Sequence, residues 1–355
     1  MKRAGNQWPE LTSFPNLLTA ARRAAAGKHK RPDVAAFLHE LEWELIRLRR
    51  ELLDGSYQPG GYRTFRVLDP KPRLISAASF RDRVVHHALT QILEPIFERR
   101  FSKDSFACRV GLGTHRALAQ AREGARGSRF VLKCDVRKYF PSVDHEILKE
   151  LLARAVKCRP TLELAGKIID GSNPQGAAYS YFPGDDLFTP AGRRRGLPLG
   201  NQTSQFFANV YLNPLDQFIN RTLRPAVYVR YVDDFLLFGA GKGELAEMQQ
   251  AIAEFLDGLR LRMHSGKSRA YRVSEGVTFL GWRVFPDRAR LVRDNVVRFR
   301  RKLCGLRDEY NAGAAEWREV DTRVRAWIAH AAHGETWGLR EQVFGQCAFR
   351  RGVRP

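Results

Sequence analysis

Three aspartates in two separate segments have the side chains that phosphate-transfer chemistry requires. Asp135 ends the apolar segment FVLKCD (130–135), and the adjacent pair Asp233 and Asp234 interrupts AVYVRYVDDFLLFG (226–239). Burying two adjacent negative charges is costly unless cations compensate them. Mg²⁺ prefers oxygen ligands and shares them with substrate phosphates, and two such ions serve phosphoryl transfer. The pattern therefore predicts a site for two Mg²⁺ ions, with Mn²⁺ as an alternative ion.

An Asp–Asp pair also occurs at ordinary turns, where it binds no metal. Asp185 and Asp186 lie in segment 159–195, which is rich in Gly, Pro and Asp and is predicted to be an irregular insertion. We interpret this second pair as such a turn. From the residues alone, the same interpretation stays open for Asp233 and Asp234.

The composition indicates a polyanionic partner. The chain has 355 residues, 60 Lys and Arg against 38 Asp and Glu, and a net charge of +22. Such an excess favours nucleic acid as the partner, with a merely soluble basic surface as the alternative. The basic residues are spread along the chain, which argues against a membrane-surface helix.

The cysteines and the N-terminal residues indicate the cellular compartment of the protein. The five cysteines are scattered without a CxxC pair, which argues against a disulfide framework or a zinc site and fits a reducing environment. The first residues contain no apolar signal region, and no run is long enough for a membrane span. We expect a cytoplasmic protein without a membrane partner.

Strands and helices must position the aspartates. Their β-branched and aromatic residues predict buried strands within 130–135 and 226–239. Helical periodicity predicts one helix over 33–54 with Asp33 as its N-cap. It predicts a second helix over 204–219 with a kink or a restart at Asn213–Pro214. The alternation of strands and helices, with a basic helical C-terminal part, predicts an α+β fold.

Seven motifs, in order along the chain, resemble those of reverse transcriptases. YVDD (231–234) and KCDVRKYFPSVD (133–144) resemble the two catalytic motifs of that family. The segment GLPLGNQTSQFFAN (196–209) resembles the one that shapes the nucleotide pocket, and FLGWR (279–283) resembles the primer grip. The remaining three resemble the fingers motifs of bacterial members and read PKPRLIS (70–76), FRDRVVHHAL (80–89) and SFACRVGLGTHRAL (105–118).

The resemblance implies a right-hand polymerase with fingers, a palm whose antiparallel sheet carries the catalytic carboxylates, and a short helical thumb. The domains expected from it are an N-terminal helical extension at 1–60, fingers at 61–130, a palm at 131–285 with an insertion at about 155–195, and a thumb at 286–355. The thumb is basic and carries Trp317, Trp327 and Trp337, which we interpret as core residues rather than stacking platforms.

The resemblance also implies site residues. Asp135 and Asp233 would be metal ligands with Asp234 assisting, and Val136 would contribute its backbone carbonyl. The nucleotide-binding set would be Lys71, Arg73, Phe140, Leu199, Gly200, Gln205 and Lys267, with Asn201 as a polar neighbour. Phe140 would lie against the sugar 2′ position and so select deoxynucleotides, or would be a core residue. Lys71 and Arg73 could instead form a solvated basic turn, and Lys267 is equally consistent with a surface lysine. Phe279, Leu280, Gly281 and Trp282 would support the primer end, or would close the palm sheet.

Leu199 narrows the resemblance within the family. Most bacterial members, including those of group II introns, carry Gln before the glycine of the pocket segment, whereas this chain has Leu199–Gly200. The LGNxTSQ form resembles enzymes of diversity-generating retroelements, which copy a template RNA inaccurately at adenines. An aliphatic side chain cannot make the directional contact that an amide makes, which weakens discrimination between nucleotides.

The resemblance implies binding partners, and it leaves several alternative functions open. The partners would be template RNA, the RNA/DNA hybrid, deoxynucleoside triphosphates, and a small basic accessory protein that forms a helical oligomer. The rivals are a phage-defence reverse transcriptase that makes cDNA from a noncoding RNA, a group II intron enzyme, and an inactive palm that only binds RNA. The intact aspartates argue against the last.

Overall fold

The computed structural model describes residues 2–68, 72–173 and 180–350. The chain forms two compact units, each built from three stretches of sequence. The first unit comprises Met1–Cys108, Asp135–Arg224 and Gln250–Ser265, and the second comprises Arg109–Cys134, Pro225–Gln249 and Gly266–Pro355. None of the helices in the described ranges combines the length and the apolar character that a membrane span requires.

Helices and strands alternate through most of the chain, as expected for an α+β fold. The helices are α1 (Trp8–Leu11), α2 (Phe14–Ala25), α3 (Pro32–His39), α4 (Leu41–Leu53), α5 (Phe80–Glu98), α6 (Thr114–Gly127), α7 (Tyr139–Ser142), α8 (His145–Ala153), α9 (Arg159–Asp170), α10 (Thr189–Gly192), α11 (Gln202–Phe218), α12 (Lys242–Gly258), α13 (Arg293–Asn311), α14 (Trp317–Ala331) and α15 (Trp337–Gly345). The strands are β1 (Arg63–Val67), β2 (Arg73–Ala77), β3 (Phe130–Asp135), β4 (Val227–Tyr231), β5 (Asp234–Gly239), β6 (Arg269–Arg272), β7 (Val277–Phe279), β8 (Trp282–Val284) and β9 (Ala289–Leu291).

The first unit is mainly helical, with α5 at its centre. Apolar residues lie on nearly all sides of α5, so α2 and α11 both pack against it. Phe97 of α5 meets Phe206 of α11 edge to face, with ring centroids 5.4 Å apart. The antiparallel hairpin of β1 and β2 belongs to this unit, and every residue of β1 is exposed.

The second unit contains two sheets and the C-terminal helices. One sheet has the strand order β4-β5-β3-β6, with antiparallel pairs β4/β5 and β3/β6. Helix α6 packs against β4, and a side chain at Gly124 would come within 2.5 Å of the Phe238 ring, so glycine permits the close approach. The other sheet has the order β7-β8-β9. In the C-terminal helices, Phe299 stacks on Trp327 at 3.9 Å between ring centroids.

Two helix predictions are wrong in detail. The periodic segment 33–54 forms α3 and α4 rather than one helix, because Glu40 leaves helical geometry (φ −109°, ψ 32°) between them. Arg31, not Asp33, is the N-cap of α3, and Pro32 occupies its first turn. Helix α11 continues through Pro214 rather than restarting there, and a π-helix, Ile219–Leu223, extends it.

The predictions for the insertion and for the C-terminal tryptophans are partly wrong, and the one for the second Asp–Asp pair is confirmed. The insertion at 159–195 contains the amphipathic helix α9, although the described residues between α9 and α10 are irregular. The prediction that the thumb tryptophans are core residues is wrong for Trp317 and Trp337, which are 52% and 68% exposed. In the second Asp–Asp pair, Asp185 pairs with Arg193 and Asp186 accepts backbone N–H groups of residues 188 and 189, so that pair forms a turn as predicted.

Candidate active site

The YVDD motif forms the tip of a hairpin in the second unit. Tyr231 at the end of β4 pairs with Asp234 at the start of β5, so the connecting loop is only Val232 and Asp233. Two-residue hairpin loops require positive φ values that glycine usually supplies, yet Val232 has φ 58°. A β-branched residue in this conformation is strained, which is typical of functional turns. Both aspartates are half-buried and therefore open to substrate.

Two basic residues beside this hairpin were not predicted. Lys133 of β3 places its Nζ atom 3.4 Å from an Asp234 carboxylate oxygen. Arg230 of β4 is fully buried and donates from Nη1 to the Val232 carbonyl at 2.9 Å. The protein thus supplies part of the compensating charge itself. The available signal was a single basic residue within each apolar strand, since a charge in a buried strand requires a partner.

The negative charge of Asp234 also affects the pKa of a tyrosine on β6, the strand next to β3. Burial raises the pKa of Tyr271 on β6 to about 12, and the negative charge of Asp234 adds to the increase. Tyr271 is therefore a neutral phenol at physiological pH. The groups near Asp234 thus include a cation, Lys133, and a neutral aromatic residue, Tyr271.

Asp135 is the last residue of β3, and β3 lies next to β5 in the sheet. Side chains two residues apart on a strand point to the same face, so Asp135 shares its face with Lys133, which contacts Asp234. The Asp135 carbonyl accepts a hydrogen bond from His264 N at 2.7 Å, and Arg137 N donates to Arg262 O at 2.8 Å. These bonds fix the backbone on both sides of Val136.

The residues present suit a hard divalent cation. Val136 pairs with Met263 in an antiparallel bridge whose hydrogen bonds come from the flanking residues, which turns the Val136 carbonyl away from that segment. The donors are then carboxylate and carbonyl oxygens, as Mg²⁺ prefers. Within the described ranges, no three His, Cys, Asp or Glu side chains stand close enough together to hold a metal by themselves. Mg²⁺ commonly takes only one or two protein carboxylates and fills its remaining positions with water and phosphate.

In the first unit, the segment 196–209 is fixed against strand β2. Leu199 O accepts from Ser76 N at 2.9 Å. The buried Asn201 side chain donates to Ser76 O at 3.0 Å and accepts from Ala78 N at 3.3 Å. Gly200 has φ 112°, and a Cβ there would lie 2.9 Å from Ile75 Cγ2, so a larger residue would clash. Three predicted pocket residues thus lie together beside β2.

Phe140 lies close to the same segment. Its carbonyl accepts a hydrogen bond from Leu197 N at 2.8 Å, two residues before Leu199. The Phe140 ring is half-buried and meets Tyr139 edge to face, with centroids 5.5 Å apart. The ring is therefore neither a fully buried core residue nor free in solvent. Its role beside the sugar stays a prediction.

The other predicted nucleotide-binding residues are less defined. Lys71 lies outside the described residues. Arg73 is exposed at the start of β2, Gln205 is exposed in the first turn of α11, and Lys267 is exposed in a turn before β6. Exposure leaves all three able to meet a triphosphate, and their roles stay predictions.

The predicted primer grip is the hairpin between β7 and β8. Phe279 and Trp282 form its last pair and are fully buried, which leaves their side chains no access to a primer. Leu280 and Gly281 form the two-residue loop, with φ values of 50° and 83°, and are half-exposed. The alternative that these residues close the palm sheet is wrong, since they belong to the separate sheet β7-β8-β9. A primer contact remains a prediction for the hairpin tip.

Comparison with known proteins agrees with this arrangement. The family model described as reverse transcriptase (RNA-dependent DNA polymerase) matches residues 68–284. Protein YkfC of Escherichia coli strain K12 is 29% identical over 296 residues, which are 72% of this chain and 74% of that protein.

Two further relatives come from introns. The group II intron-encoded protein LtrA of Lactococcus lactis subsp. cremoris is 25% identical over half of this chain and 28% of its own length. Nuclear intron maturase 1, mitochondrial, of Arabidopsis thaliana is 39% identical over 24% of this chain and 12% of its own. This chain therefore spans only a small part of these intron proteins.

The matched region contains both catalytic motifs, the pocket segment and the hairpin between β7 and β8, and it covers more than half of the chain. The chain belongs to the reverse transcriptase family and is an RNA-directed DNA polymerase.

Proposed function

We propose that this enzyme copies a template RNA into cDNA with elevated error at template adenines, as in a diversity-generating retroelement. The observation that carries the proposal is the position of Leu199. Backbone hydrogen bonds and the Asn201 side chain fix the Leu199–Gly200 turn against β2, while the Leu199 side chain itself is half-exposed. The pocket therefore presents an aliphatic group in place of a hydrogen-bonding amide.

We propose that Asp135, Asp233 and Asp234, with the Val136 carbonyl, hold two Mg²⁺ ions. Asp135 ends β3, Asp234 begins β5, which is next to β3 in the sheet order, and all three aspartates are partly exposed, which supports this assignment. When bound, the ions would stabilise the attacking 3′-oxygen and the leaving pyrophosphate. Lys133 neutralises part of the negative charge at Asp234.

The chain's own residues would select the nucleotide. We assign Arg73, Lys71 and Lys267 to the triphosphate, because guanidinium and ammonium groups neutralise phosphate charge. Phe140 would exclude a 2′-hydroxyl sterically, and Gly200 would let the backbone approach the base pair. Leu199 provides van der Waals contact without directional selection, so pairs with poor geometry are rejected less strongly.

Replacing Leu199 with Gln tests the proposal. Because backbone groups and Asn201 hold the turn, the substitution changes the side-chain chemistry and keeps these hydrogen bonds. One added hydrogen bond, worth ~1 kcal/mol, should lower misincorporation opposite adenine about fivefold. The measurement is sequencing of cDNA made by primer extension on an RNA template, with errors opposite each base counted separately.

Leu187→Gln is the matched control, since Leu187 is 72% exposed in the insertion. It should leave the error spectrum unchanged. If Leu199→Gln changes nothing at adenines, or if both variants alter errors equally, the proposed role of Leu199 and the retroelement assignment are wrong. The polymerase activity would stand either way.

A further inference from the structure

A basic cavity lies at the end of α11 remote from the nucleotide pocket. Its volume is about 760 Å³, and it is lined by residues 99–104, which follow α5, and by the C-terminal part of α11 with its π-helix extension. Arg221 in this extension is sixteen residues beyond Gln205. At 1.5 Å per residue this places Arg221 roughly 24 Å along the helix axis from Gln205.

The cavity floor is preformed by hydrogen bonds. Asn220 Nδ2 donates to Ser102 Oγ at 2.8 Å and to the buried Asp104 carboxylate at 3.0 Å. Gln217 Nε2 donates to Arg100 O at 3.2 Å. The π-helix adds a residue per turn and so directs Asn220 toward this floor, and such turns occur frequently at functional sites.

The cavity rim carries an excess of positive charge. Arg99, Lys103 and Arg221 are exposed, and in the ranges that the structure describes none of them has a carboxylate within ion-pair distance. Arg100 is half-buried and donates to Lys2 O at 2.8 Å. The one carboxylate in the lining, Asp104, is occupied by Ser102 and Asn220. Four cations against one satisfied carboxylate favour an anion.

We propose that this cavity binds phosphate groups of the RNA backbone and anchors the RNA away from the site of synthesis. The enzyme's substrate is RNA, and the chain's net charge of +22 favours polyanions over small anions. Amide side chains beside the cations fit phosphate and sugar oxygens. The inference rests on the family's activity on RNA and not on the proposed error spectrum.

The test is the salt dependence of RNA binding, measured by fluorescence anisotropy with a labelled 30-nucleotide single-stranded RNA. In the triple variant Arg99→Gln, Lys103→Gln, Arg221→Gln, three phosphate contacts are lost. The slope of log K against log salt should fall by about 2, because each contact to a single strand contributes about 0.7. In primer extension, KM for template should rise while kcat at saturating template stays unchanged.

The matched control is Arg22→Gln, Lys30→Gln, Arg154→Gln, which removes three exposed charges of the same unit outside the cavity. It should change the slope by less than half as much. Asn220→Ala keeps the charge and disturbs the floor, so it should weaken RNA binding by itself. Equal slopes for both triple variants would show non-specific attraction and overturn the proposal. A second outcome would also overturn the proposal. In it, the first triple variant binds RNA as the wild type does, although inorganic phosphate raises the melting temperature of the wild type.

Discussion

Asp233 and Asp186 belong to two Asp–Asp pairs that differ in their chemical surroundings. Asp233 is half-buried at a strained hairpin tip, whereas Asp186 accepts hydrogen bonds from the Phe188 and Thr189 backbone at 2.9 and 2.6 Å. The hydrogen bonds to Asp186 hold the pKa of that carboxyl below its ordinary value. The Asp186 carboxylate thus bonds within its own turn, whereas the Asp233 carboxylate lies partly exposed at the hairpin tip, where the proposed Mg²⁺ would bind.

We therefore expect Asp233→Asn to lower primer extension on RNA by more than about 100-fold, because a neutral amide is a poor ligand for Mg²⁺. The control Asp186→Asn should retain activity within about twofold, since it removes only a turn contact. Both variants should be assayed across a range of Mg²⁺ concentrations. Substantial activity in Asp233→Asn at saturating Mg²⁺ would contradict the assignment of Asp233 as a metal ligand.

At the scale of the element, the hairpin of β4 and β5 stores strain at Val232. A non-glycine residue in the left-handed region costs about 1–2 kcal/mol, and the β-branched side chain adds crowding. Glycine at this position would relieve that strain but would add about 0.5–1 kcal/mol of conformational entropy to the unfolded chain. The two effects act in opposite directions and are of similar size.

Val232→Gly should accordingly leave the free energy of unfolding unchanged or raise it by up to about 1 kcal/mol. Because a glycine hairpin tip is less constrained, polymerase activity should fall at the same time. Val229→Gly, at a fully buried position of the same strand, should lower the free energy of unfolding by about 2 kcal/mol or more. Denaturant unfolding of the three proteins gives the comparison, and equal losses in both variants would show that Val232 is not strained.

At the scale of the whole molecule, stability in mild acid depends on a histidine in α5. Burial lowers the pKa of His86 to about 4. Within the ranges that the structure describes, neither ring nitrogen of His86 has a hydrogen-bond partner. Between pH 4 and 6.5 the unfolded chain binds more protons at this residue than the folded one does. The folded state therefore loses stability as the pH falls through this window.

His86→Leu should remove this contribution while keeping a buried apolar side chain in α5. The loss of stability between pH 7 and pH 5 should become smaller by about 2 kcal/mol, as expected for a pKa of about 4 against 6.5. The neighbouring His87, whose burial also lowers its pKa to about 4, remains and keeps part of the pH dependence. His29→Leu, at an exposed position, is the control. If the free energy of unfolding of His86→Leu depended on pH as that of the wild type does, His86 would not be a buried, neutral imidazole.

The family and the strands that carry the aspartates could be predicted from the amino-acid sequence. Strand bias identified the segments of β3, β4 and β5, helical periodicity identified most of α11, and the ordered motifs identified the family that the family model also matches. These features depend on residues near one another in the chain. Local periodicity and motif spacing are sufficient to detect them.

The positions of those segments, and the charges that lie next to the aspartates, are visible only in the tertiary structure. The sequence could not indicate that Lys133 contacts Asp234 or that Asn201 fixes the pocket turn to β2, because these residues are distant from one another in the chain. It also could not indicate that Arg230 is buried, because its hydrogen bond depends on the backbone conformation at Val232. The break at Glu40 and the passage of α11 through Pro214 were likewise set by packing, which overrides local preference. The burial of Phe279 and Trp282 required the pairing of β7 with β8, and this pairing left only the two-residue loop exposed.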